Sequence, residues 1–113
     1  MAFPSDNENW IVEEGGIVVE KKVRSGLECL APWERLVYCL WVADYGMSNA
    51  GDLRAAHDIY PEFQLTAQQA AAELSLPLSF GAFSMSQSSL ESEYSILFES
   101  MCNEIRNAQS SSK

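Results

Sequence analysis

The chain has 113 residues, 16 Asp and Glu against 7 Lys and Arg, and a single histidine, giving a formal net charge of −9 near neutral pH. That excess excludes nucleic acid as a direct partner, because phosphate neutralisation supplies most non-specific affinity. It also disfavours anionic lipid, where each basic residue contributes about 1 kcal/mol. One domain is expected at this length, and with 47% apolar residues it can bury a core without metals or disulfides to staple it.

Met1–Trp10 (MAFPSDNENW) has acids where a secretory signal needs bases, and no apolar core follows. No run approaches the roughly 20 apolar residues of a membrane span, so a cytoplasmic location is expected. Residues 1–9 read as a flexible N-terminus, 10–108 as a single helical domain and 109–113 (QSSSK) as a disordered tail. From about Gly16 to Leu27, Val19, Val23 and Leu27 recur every four residues, which predicts a helix. The competing reading is a short hairpin, with Trp10-Ile11-Val12 and Ile17-Val18-Val19 flanking a Glu-Glu-Gly-Gly turn.

Pro32–Met47 gives the strongest helical pattern. Proline suits a first helical position and Glu34 suits the positive end of the helix dipole. Trp33, Leu36, Val37, Leu40 and Trp41 make one apolar stripe and Tyr38, Val42 and Tyr45 another, so this helix belongs in the middle of the fold. Gly46 and the Ser48–Gly51 stretch should end it, Asn49 and Gly51 being the residues that tolerate a left-handed exit. A third helix is predicted from an Asp52 cap to Tyr60, stopped by Pro61. A fourth, Ala67–Leu74, opens on a Thr66/Gln69 capping box and closes before Pro77. After a Phe-Gly-Ala-Phe connection at 80–83, Leu90, Tyr94, Leu97, Phe98, Met101 and Ile105 mark a last helix over about Ser89–Asn107. The expected fold is all-α, a single-domain antiparallel array of about five helices with the short N-terminal hairpin as a variant.

No catalytic constellation emerges. His57 has Asp58 beside it, but adjacent helical positions do not face each other. Cys39 and Cys102 fall on apolar stripes, where burial makes thiols inert, and Cys29 is the most plausible exposed thiol. The three cysteines form no CxxC pair, which favours reduced thiols over a disulfide framework. Without a His pair or a glycine-rich phosphate loop, neither a metal nor another cofactor is expected. Asp44 continues the apolar stripe of its helix, so its carboxylate needs a hydrogen-bonding partner; the expected role is a structural cap on the Ser48–Gly51 loop, the alternative a polar residue at a recognition pocket near that loop.

The charge is unevenly placed. Residues 36–105 hold nine acids and one base, Arg54, hence −8 of the −9, while Lys21, Lys22, Arg24 and Arg35 precede them. Such acidity either maintains solubility or attracts a basic partner with salt-sensitive steering. Asp52, Asp58 and Glu62 near the loop, and Glu91, Glu93 and Glu99 on the last helix, are the candidate contact residues.

Pro32–Leu53 (PWERLVYCLWVADYGMSNAGDL) resembles the helix and loop of a bacterial helical family that includes DNA-mimic proteins. In that family a Leu- and aromatic-rich helix starts near Pro-x-Glu and enters an Asn-Asn-Gly-Gly-Phe-like turn. Here Asn49 and Gly51 match the turn, while Ser48 and Ala50 depart from it. The Leu90–Leu97 segment is similar to that family's Leu-x-x-x-Tyr-x-x-Leu. The resemblance implies an all-helical domain whose acidic surface imitates duplex phosphates to occupy a basic DNA-binding protein.

The sequence thus points to a small, non-enzymatic, inhibitor-like module that binds a basic protein. That partner is a DNA-binding protein for a mimic, or a toxin for an immunity protein. A homodimer through a self-complementary apolar patch is a further expectation. The alternative is a small enzyme or ligand-binding domain with a pocket around His57, Asp44 and Tyr45.

Overall fold

The computed structural model describes residues 6–111, which form α1 (Asp6–Ser25), a 3-10 turn (Leu27–Cys29), α2 (Pro32–Ala50), α3 (Arg54–Ile59), α4 (Phe63–Glu73), α5 (Pro77–Phe83) and α6 (Gln87–Ser111). The fold is all-α and single-domain. Leu36, Val37, Cys39, Leu40, Val42 and Ala43 of α2 are fully buried, as expected of a helix that is apolar on most sides. Around α2 lie α1, α3 and α4; α5 rests on α4, and α6 runs from α5 back to α1.

The start of α2 is built as its sequence predicts. Pro32 occupies the first turn, and Glu34 Oε1 accepts the Ala31 N–H at 2.8 Å while pairing with Lys21 Nζ at 2.9 Å. Burial alone would raise the Glu34 pKa, but these two partners win and hold it below its ordinary value. The helix runs past Gly46 and Met47 to Ala50, ending at Gly51 in the left-handed conformation (φ 73°). The Asn49 side-chain amide donates a hydrogen bond to the Tyr45 carbonyl at 2.8 Å.

Four expectations are corrected. The hairpin over residues 10–20 is absent: α1 begins at Asp6, so residues 6–9 of the expected flexible segment are helical. Gly15 and Gly16 each cost about 1 kcal/mol within a helix, but Gly15 is buried where any Cβ would overlap the Trp41 ring. Tertiary packing therefore decides this helix. The Thr66/Gln69 capping box does not form, because α4 starts earlier at the fully buried Phe63, and Thr66 Oγ1 instead bonds the Tyr60 hydroxyl at 2.7 Å. The 80–83 connection is helical: Pro77 opens α5, and Glu104 of α6 accepts the N–H groups of Leu78 (2.9 Å) and Ser79 (2.8 Å) and the Ser79 hydroxyl (2.8 Å). Finally, α6 extends through residues 109–111 of the expected tail. Residues 1–5 and 112–113 of the two expected flexible ends lie outside the described residues.

Candidate functional site

Asp44 leaves α2 on the side away from α3. Gly46 faces α3, with its Cβ position 3.0 Å from the Ala56 nitrogen, and a side chain two residues away points about 200° around the helix. Ser48–Ala50 belong to α2 and are no loop to cap, and the partner of Asp44 comes from α6. Asp44 Oδ1 accepts the Tyr94 hydroxyl of α6 at 2.9 Å. Burial raises the Asp44 pKa above the usual carboxylate value and Glu8 adds to the rise, opposed by the Tyr94 hydrogen bond. The Tyr94 phenol is pushed far above its usual value, first by burial and then by the Asp44 charge, so it remains a donor.

Around this pair lies a groove of about 320 Å³ between α1, α2 and α6, lined by Glu8, Asp44, Glu91 and Glu99 over Met47, Tyr94 and Phe98, with Ser48 and Ser95 on its margin. Glu91 accepts the Leu53 N–H at 2.9 Å and the Gln87 amide at 3.0 Å; Glu99 accepts the Asn7 amide at 3.0 Å. The donors reaching Asp44 and Glu91 are neutral, so they satisfy oxygens without cancelling charge. Among the described residues no three His, Cys, Asp or Glu side chains converge as metal ligands would. The carboxylates are instead spread along a trough with an apolar floor. A second cavity, of about 340 Å³ at the α4–α5 junction, is lined by Ala71, Ala72, Leu76, Pro77 and Phe80 with only Ser75 polar, and carries no charge.

The six acids expected to contact a partner do not form one face. Glu91 and Glu99 line the groove, and Asp52 lies next to Leu53, whose N–H binds Glu91. Asp52 also accepts the Arg54 N–H and pairs with its guanidinium at 3.1 Å, bonds that lower its pKa. Glu93 is exposed and lies about 200° around α6 from Glu91. Asp58 and Glu62 are exposed at the corner between α3 and α4. Glu8 falls within residues 1–9, whose composition suggests a flexible end, yet it lies in the first turn of α1. Its only signal was a position one turn before Ile11 in a helical frame that the Gly15-Gly16 pair obscured.

His57, Asp44 and Tyr45 do not converge. His57 Nδ1 lies 3.2 Å from the Pro61 carbonyl, and its ring sits edge-on to Phe63 at 4.9 Å. Tyr45 is exposed and stacks on Trp41 at 5.6 Å. Cys39 and Cys102 are buried, which pushes the Cys102 thiol up to about 12 and Cys39 further still; Cys29 is exposed. No helix among the described residues is long and apolar enough to cross a membrane. Comparison of the chain with protein-family models, curated proteins and solved structures finds no match.

Proposed function

We propose that this protein is a small, non-enzymatic, inhibitor-like module that engages a basic partner protein through its acidic surface. The observation that carries the reading is the α1/α2/α6 groove, where four carboxylates stand over Met47, Tyr94 and Phe98. Long cationic side chains bury their stems against apolar surface and keep their charged heads among polar groups, which is the chemistry this groove offers a partner's Arg or Lys. Asp58, Glu62 and Glu93, exposed beyond it, attract a basic surface at longer range. Of the two inhibitor types, an immunity protein covering a toxin's basic active site fits the groove better than a DNA mimic. A trough with an apolar floor receives one inserted side chain, whereas a duplex presents evenly spaced phosphates.

Calorimetric titration with an arginine-rich peptide tests this. Binding is expected at low salt and should weaken as salt rises. Ser48→Arg, which places a cation on the exposed margin of the groove, should reduce affinity at least about tenfold, a cost of roughly 1.4 kcal/mol. Absence of binding at low salt, or binding indifferent to Ser48→Arg, would overturn the proposal.

A further inference from the structure

The outward face shared by α1 and α2 carries an apolar stripe that runs beside the groove and meets it at Glu8 and Asp44. On α1, Val12, Gly16, Val19 and Val23 follow one another at spacings of four, three and four, which places them within about 60° of one another around the helix. Val12 is 62% exposed and Val23 79% exposed, and Val19 is partly buried. Gly15 borders this stripe and fixes its neighbour on α2, because it lies against the Trp41 ring. Val12 and Val19 lie one turn to either side of Gly15, so the valine stripe runs alongside Trp41. Tyr45, 47% exposed, continues the patch by stacking on Trp41. Isolated exposed apolar residues are ordinary, but a continuous stripe flanked by Trp and Tyr has the composition of an interface centre.

The charges at the two ends of this patch have opposite sign. Glu8 and Asp44 stand at one end; Lys22, 5.0 Å above the Tyr38 ring, stands at the other. We infer that this face is where two copies of the chain meet, α1 crossing α1 of the partner in the antiparallel sense about a two-fold axis. A two-fold makes the same patch contact itself and brings each acidic end toward the other copy's basic end. At the centre, a Cβ on Gly16 would meet nothing within 4 Å, so neighbouring backbones can approach closely there. Val12 to Val23 covers about 17 Å of α1 and Trp41 to Tyr45 about one turn of α2, roughly 250 Å² a side, smaller than a standard specific interface. The dimer is therefore weak and concentration-dependent, and it leaves Asp58, Glu62 and Glu93 outside the contact. The contact shares Glu8 and Asp44 with the groove, but its test needs no basic partner.

Sedimentation equilibrium of the purified full chain, with no basic partner present, is the test. The mass should rise from 12.6 kDa toward twice that value between micromolar and near-millimolar concentration. Val12→Glu with Val23→Glu, both at exposed positions, should raise the dissociation constant about tenfold or more while the far-ultraviolet circular dichroism stays unchanged. Tyr45→Ser tests the same face from α2 and decides the matter should the valine variant lose helix. A wild-type chain that remains at 12.6 kDa throughout overturns the inference, and so does a dimer whose dissociation constant neither helix's variant changes.

Discussion

The start of α5 and the groove between α1, α2 and α6 both depend on acids of α6, with opposite results. At α5, Glu104 takes two backbone N–H groups and the Ser79 hydroxyl, so one carboxylate is engaged by three donors and does structural duty. In the groove, Glu91 likewise accepts the Leu53 N–H at the start of α3, but Glu8, Asp44 and Glu99 share the trough with it, and the donors to Asp44 and Glu91 are neutral. A carboxylate fixed at a helix start contributes stability and offers little to a partner. Carboxylates gathered beside apolar side chains reinforce one another's field, which is the basis of the proposed attraction for a cation. The molecule thus uses acids in two ways: Glu34 and Glu104 hold helix starts, while the groove carboxylates, with Glu91 serving both ends, are those proposed to meet a partner's cation.

Removing the acids that hold helix starts should have the largest effect on stability. Glu104→Ala leaves the α5 start and the buried Ser79 without their acceptor, and should cost about 2–3 kcal/mol in urea unfolding while peptide affinity stays unchanged. Glu34→Ala should cost about 1–2 kcal/mol at neutral pH by uncapping α2 and stranding Lys21. Because folding lowers the Glu34 pKa, its contribution is present above the unfolded value near 4.5 and is lost as pH falls through the folded value. The wild-type advantage over this variant should accordingly shrink in acid; a pH-independent difference would separate Glu34 from its ion pair.

Groove acids should respond in the opposite sense. Folding raises the Asp44 pKa, so this group favours the folded state most below the unfolded value near 3.8, and that contribution is lost as pH rises through the raised folded value. Asp44→Asn keeps an acceptor for Tyr94 and removes the charge. Its melting temperature at neutral pH should equal or exceed that of the wild type, the advantage disappearing in acid, while arginine-peptide affinity falls. A large loss of stability would place Asp44 with the acids that hold the fold. The smallest thermodynamic effect is expected from Asp58→Ser, Glu62→Ser and Glu93→Ser together: all three positions are exposed, so stability should change by less than about 0.5 kcal/mol, with a slower, less salt-sensitive association as the measurable result.

The same division explains what was legible in the sequence. Local signals placed α2 well, since Pro32, Glu34 and Gly51 act within their own turns. The buried stripe of α6 was equally plain from Leu90 to Ile105. What escaped depends on contacts between distant residues. The first half of α1 is helical although Gly15-Gly16 opposes it, because Gly15 fits beneath Trp41 and Asn7 binds Glu99 and Asn103. α5 owes its start to Glu104, 26 positions after Leu78. The groove joins Glu8 to Asp44, Glu91 and Glu99, and no local spacing relates those residues. Asp44's need of a partner was legible from its place on an apolar stripe; that the partner is Tyr94, 50 residues later, was not.

The most direct test of this division between acids that hold helix starts and acids proposed to meet a partner is side-chain NMR of the purified protein during titration with an arginine-rich peptide at low salt. The Met47 methyl and the Tyr94 and Phe98 rings should shift saturably and return as salt is raised, with the α5 amides of Leu78 and Ser79 unmoved. Shifts confined to the exposed acids at Asp58, Glu62 and Glu93, or none at all, would contradict the account.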